Sequence, residues 1–116
     1  MAGIKFDDKK LRHDLVPVEV IEALASVLQH GAEKYGDDNW QQGINFRRIY
    51  SALQRHLTAW RKGQYFDEDS GLPVLWHALA ELSFLIYFEQ HGYQDFNDFM
   101  DEWQKRSERN CNEDTV

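Results

Sequence analysis

Apolar residues recur at helical spacing in four stretches of the chain, and no stretch alternates with period two for long enough to make a strand. Val20, Leu24, Val27, Leu28 and Tyr35 form the first stripe. Pro17 suits a helix start because its missing N–H costs nothing in a first turn, and Gly36 suits a left-handed cap. Helix one is therefore predicted from Pro17 to Tyr35. Helix two is predicted from Phe46 to Lys62, capped by Asn45, with Phe46, Ile49, Leu53, Leu57 and Trp60 as its stripe. Helix three, Pro73 to Gln90, is capped by Asp69 or Ser70 and is apolar nearly all round, as befits the middle of a bundle or a subunit interface. Asp95 or Asn97 opens a shorter fourth helix with Phe96, Phe99, Met100 and Trp103 as its buried stripe, and the polar run from Arg106 is expected to fray.

The segment before Pro17 has no period of either kind and reads as an extended arm. The expected fold is all-α: a single helical domain over residues 1–105, with a basic arm at 1–16 and a bundle of about four helices at 17–105, then a polar tail at 106–116. Four short helices cannot easily cover every face of helix three, so a homodimer or homotetramer is expected.

Composition narrows the class. At 42% apolar and 14% aromatic, a 116-residue chain is globular and long enough for one core. A net charge of -7 argues against general nucleic-acid or membrane-surface binding. It is compatible with a cation site, and equally with simple solubility. Cys111 stands alone and cannot form an internal disulfide. The longest apolar segment, Leu79 to Phe88, is broken by Glu81 and Ser83, and the first residues show no signal peptide. A cytoplasmic protein that does not enter membranes is the expectation.

The candidate chemistry gathers between Arg47 and Leu82. His56, His77 and Glu81 interrupt apolar stripes, where polar groups are costly unless paired or coordinated. His77 and Glu81 lie four apart on one helix face, close enough to meet. They read either as a buried pair that tunes packing or as a site with an imidazole proton carrier. Asp67, Glu68 and Asp69 are consecutive in the loop between helices two and three. Capping accounts for one acid; a cation or phosphate-metal role for Asp67 and Asp69 is the other reading. The run is not an EF-hand, lacking the downstream glycine and the twelfth-position glutamate. Asn39 and Trp40 either close the core from its edge or offer a base edge-bonds and a flat face. Lys5, Lys9, Lys10 and Arg12 make the arm basic, as a solvated tail or as a cover over a polyanionic ligand.

Four ordered motifs carry a resemblance: KFDDKKLRHDLVP, GAEKYGDDNW, RHLTAWRKG and DEDSGLPVLWHA. Over roughly residues 3–90 they resemble the dATP/dGTP diphosphohydrolase amino-terminal domain family of phages and bacteria. The resemblance implies an all-α, MazG-like pyrophosphohydrolase that converts an NTP or dNTP to monophosphate and pyrophosphate with Mg²⁺ or Mn²⁺. It matches Lys5, Asp7, Lys10, Arg12 and Asp14 to the family's arm and Lys34, Tyr35, Asn39 and Trp40 to its second motif. Arg55, His56 and Trp60 match the third, and Asp67, Asp69, Ser70, Gly71 and His77 the fourth. Lys9 stands where the family arm tends to have glycine. Glu19 and Glu22 give the ExxE spacing of the MazG signature, but no ExxD follows, which leaves hydrolysis open between this domain and one fused after it.

The leading expectation is a metal-dependent pyrophosphohydrolase acting on purine nucleotides. Asp67, Asp69 and Glu81 would face the metal, and His77, Glu81 and Asp69 would serve catalysis. Lys5, Lys10, Arg12, Lys34, Tyr35, Asn39, Trp40, Arg55 and His56 would bind substrate. The alternatives are a non-catalytic nucleotide-sequestering protein of phage origin and a purely structural helical module.

Overall fold

A computed structural model describes residues 2–114, with side chains described through residue 107; the side chain of Cys111 lies outside that range. It holds four α-helices: α1 over Val18–Tyr35, α2 over Phe46–Arg61, α3 over Val74–Gln90 and α4 over Met100–Asp114. Among the described residues there is no strand, only an isolated bridge between Phe66 and Pro73. The all-α expectation holds. No described helix is long and apolar enough to cross a membrane.

Helix ends depart from expectation for local reasons. Pro17 and Pro73 keep ψ at 138°, extended backbone, so each helix begins one residue later and the proline carbonyl accepts its first bond. Neither Asp69 nor Ser70 caps α3, and the side chain of Asn45 makes no cap bond to α2. That role falls to Asp98, whose Oδ1 accepts the Arg47 backbone N–H at 2.8 Å. The Arg47 side chain returns the contact by donating to the Asp98 carbonyl at 3.2 Å and pairing with Glu102 at 2.8 Å. The segment leading to α4 is thereby tied to the start of α2. A 3₁₀ turn at Gln94–Phe96 precedes α4, and buried Asn97 accepts the Phe99 N–H at 3.1 Å. α4 runs past Arg106 to Asp114 in a stretch without glycine or proline to stop it. Trp103, expected to be buried, is 45% exposed.

The core lies where α2 and α3 meet. Phe46, Ile49 and Phe88 are buried, with Phe88 at 0% exposure, and Trp40, Phe84, Tyr93 and Phe96 pack around them. Burying one such side chain contributes roughly 1.5–3 kcal/mol. α3 packs mainly on α2 and secondarily on α1. Its remaining face, with Leu75, Leu82 and Ile86, is exposed.

Gly43 shows how tightly the connection before α2 is drawn. Its φ is 105°, and the Phe96 ring occupies the space a Cβ would take. Gly31, inside α1, meets nothing within 4 Å of such an atom. Gly43→Ala is therefore expected to lower unfolding stability by about 2 kcal/mol or more, and Gly31→Ala to raise it by about 0.5–1 kcal/mol, read by urea denaturation. Equal effects of the two would contradict this packing.

Candidate functional site

Three helices and the two segments that connect them line a cavity of ≈ 1010 Å³. The end of α1 supplies His30, Lys34 and Tyr35; the connection to α2 supplies Asp37, Asp38, Asn39 and Trp40. α2 contributes Arg48, Arg55 and His56, the loop Asp67, Asp69 and Ser70, and α3 His77 and Phe84.

The loop is built to hold Asp67 still. After α2 the chain turns at Gly63, and its two sides are joined by backbone bonds from Asp67 N–H to the Leu72 carbonyl and from Val74 N–H to the Tyr65 carbonyl, both at 2.8 Å. Inside this clamp Asp67 Oδ2 accepts the backbone N–H of Ser70 at 2.9 Å and lies 3.0 Å from its hydroxyl. An aspartate bonding the backbone three residues on is a strong local reason for that residue type. Glu68 and Asp69 are exposed, Asp69 at the cavity rim.

Two imidazoles stack over the loop with ring centroids 5.0 Å apart and planes 15° from parallel. His56 stands between two carboxylates: Nδ1 is 2.8 Å from Glu81 Oε1, and Nε2 is 3.5 Å from Asp67 Oδ1. His77 Nε2 is 2.6 Å from Ser70 Oγ, which also accepts the Leu72 N–H at 3.1 Å. Every group is satisfied when His77 Nε2–H donates to Ser70 and the Ser70 hydroxyl donates to Asp67, a proton placement inferred from the network. Glu81 therefore meets His56 across the helix seam, and not His77 on its own helix, as the i, i+4 spacing suggests.

Burial shapes the ionisation of the cluster. It pushes the Glu81 carboxyl above the ordinary glutamate value, against the hydrogen bond from His56 and the positive charge of Arg55. For Asp67, burial pushes upward too, but the Ser70 N–H and hydroxyl, with the imidazoles of His77 and His56, outweigh it and leave the group low. Desolvation lowers His77, opposed by Asp67 and assisted by His56 and His30. His77 is thus neutral near neutrality.

The sequence-expected residues divide clearly. Lys34, Tyr35, Asn39, Trp40, Arg55, His56, Asp67, Asp69 and His77 line the cavity, and Glu81 stands behind His56. Trp40 also serves the core, stacked on Phe84 at 4.7 Å. Lys5, Lys10 and Arg12 are exposed on the arm and do not line the cavity; Arg12 holds Asp14 through two bonds of 2.9 and 2.7 Å. The arm's turn places Lys9 at φ 67°, the left-handed region that suits glycine, the residue the resemblance leads one to expect there. His30 carries no sequence signal, and Arg48 reads there only as one of the basic residues of helix two, although it lies seven residues before Arg55 on the same helix face.

Asp67, Asp69 and Glu81 do not converge: among the described residues no three His, Cys, Asp or Glu side chains group as a metal site. Asp67 Oδ2 is engaged by Ser70 and both Glu81 oxygens by His56, so this arrangement does not fit a resident ion.

Because the folded state holds His77 below its unfolded value of 6.5, acidification below 6.5 protonates the unfolded chain first and costs stability until the folded value is passed. His77→Gln is expected to flatten the fall in Tm with acid across that window relative to the unsubstituted chain. Parallel curves, measured by circular dichroism, would contradict a neutral, half-buried His77.

No solved structure matches the chain. A protein of Salmonella phage PMBT28 named dATP/dGTP diphosphohydrolase is 37% identical over 87 residues, which cover 75% of this chain and 30% of that protein. The chain thus spans about a third of its relative's length. The family profile described as dATP/dGTP diphosphohydrolase, N-terminal, matches residues 1–98, including every cavity-lining residue named above. The chain belongs to the dATP/dGTP diphosphohydrolase amino-terminal domain family.

Proposed function

We propose that this chain binds a purine deoxynucleoside triphosphate in the cavity between α1, α2 and α3 and hydrolyses it to monophosphate and pyrophosphate in the bacterial or phage-infected cytoplasm. The observation that carries this reading is His56 suspended between Glu81 and Asp67 at the cavity wall. With Nδ1–H given to Glu81, Nε2 is an acceptor facing a second acceptor, Asp67 Oδ1, 3.5 Å away. One water can donate to both, leaving its oxygen lone pair directed into the cavity.

In the proposed step that water oxygen bonds to the α-phosphorus, and the bond from the α-phosphorus to the bridging oxygen of the β-phosphate breaks. Nε2 takes the proton, Glu81 stabilises the imidazolium, and pyrophosphate departs. His77 and Ser70 act through Asp67 by fixing its orientation. Lys34 and Arg55, which line the cavity, would hold phosphates, and Asn39, Trp40 and Tyr35 would hold the base and sugar. No step is routed through a resident metal; Mg²⁺ or Mn²⁺ enters as the ion carried by the triphosphate. The exposed Leu75, Leu82 and Ile86 support a homo-oligomer. A monomer mass by light scattering at micromolar concentration removes that part.

A second reading, nucleotide binding without turnover, is favoured by the carboxylates that do not converge and by the 30% of its relative that the chain spans. Purified chain incubated with each purine dNTP, with and without Mn²⁺, separates the two by chromatography of the products. Monophosphate plus pyrophosphate is expected, with His56→Gln lowering kcat about 10²–10⁴-fold at little change in KM. Thermal stabilisation by dNTP with no product would select the binder; neither response would sink both.

A further inference from the structure

On the outer side of α2 lies a second depression, of ≈ 590 Å³. Its lining includes Arg47, Arg48 and Arg55 and no carboxylate, the reverse of a chain whose net charge is -7. The three guanidinia differ in what they are free to do. Arg47 is engaged with Asp98 and Glu102 and lies over the Phe99 ring at 4.4 Å. Arg48 and Arg55 make no ion pair among the described residues, and Arg55 donates to Ser51 Oγ at 2.9 Å. Seven residues apart, they sit two turns from each other on one helix face. Both also line the larger cavity, so the ridge between the two cavities carries a pair of guanidinia reachable from either side.

We propose that Arg48 and Arg55 form a condensed-phosphate site, with the outer depression receiving the terminal phosphates of the triphosphate and then the pyrophosphate product. Guanidinium forks match phosphate oxygens in pairs, and charge-assisted bonds of this kind are among the stronger ones. Phe99, covered on one side by Arg47 and edge-on to Tyr50 at 5.7 Å, gives the depression its apolar part. The base would lie inward against Asn39 and Trp40, and the chain of phosphates would cross the ridge. Arg48 is then the phosphate-binding residue that no family motif marked. The nucleotide part rests on the proposed function; the anion site does not.

Isothermal titration with pyrophosphate, then with a purine dNTP and its monophosphate, tests this on the intact chain and on Arg48→Ala, Arg55→Ala and Arg61→Ala. Arg61 ends α2 and lines neither cavity. Arg48→Ala and Arg55→Ala are each expected to weaken pyrophosphate and triphosphate roughly tenfold and monophosphate less, with Arg61→Ala unchanged. Arg48 is exposed, so its replacement leaves the fold intact by circular dichroism. Absence of pyrophosphate binding, or equal affinities in the intact chain and Arg48→Ala, overturns the site. Tighter binding of a single-stranded oligodeoxynucleotide than of pyrophosphate overturns it too. Pyrophosphate bound in the expected pattern without any nucleotide binding would leave the anion site standing and remove the hydrolase reading. Nucleotide binding insensitive to Arg48 would do the opposite.

Discussion

The contact between His56 on α2 and Glu81 on α3, 2.8 Å long, sits in the seam that the two helices otherwise fill with apolar side chains. A polar group left without its partner in such a place costs about 1–3 kcal/mol, more when charged. Sliding one helix along the other by a turn would strand both groups, so the pair fixes the register of the seam. With the register set, the loop from Gly63 to Pro73 must span a defined gap, and its backbone clamp delivers Asp67 to the free side of His56. The far end is held separately: Asp98 caps α2, which binds the approach to α4 to the same helix. Site and fold thus share one support.

The helices were readable from the sequence because their stripes run for several turns and glycine or proline stands near each end. Their partners in space were not. Asn45 has the chemistry of a cap, but its carboxylate rival comes from Asp98, far along the chain, and no local pattern points there. Glu81 has two histidines within reach, and sequence spacing favours His77. The fold turns His77 toward Ser70 instead and leaves Glu81 to the neighbouring helix. Ser70 looked like a helix cap and proves to be the hinge of a hydrogen-bond chain from His77 to Asp67. The family motifs located the cavity wall well, since nearly all their central residues line it, whereas the basic arm stays outside.

Charge is distributed against the overall acidity. Acids occupy the loop and the connection after α1, while the α2 ridge presents Arg48 and Arg55 to both cavities. A ligand with an aromatic end and a polyanionic end would meet Trp40 and Asn39 at one side and guanidinia at the other. The imidazole–carboxylate cluster adjoins Arg55 on the same cavity, with His56 the next residue of α2.

The most direct measurement is an imidazole nitrogen–proton correlation spectrum of the labelled chain, recorded with and without a purine deoxynucleoside triphosphate bearing an α,β-methylene bridge. This molecule has the shape of the substrate and cannot be cleaved. Occupation of the cavity predicts that the His56 and His77 ring signals and the Trp40 indole signal move together at saturation, with His13 and His91, outside the cavity, unmoved. Saturable binding that leaves His56 and His77 unchanged would place the nucleotide elsewhere and contradict the site.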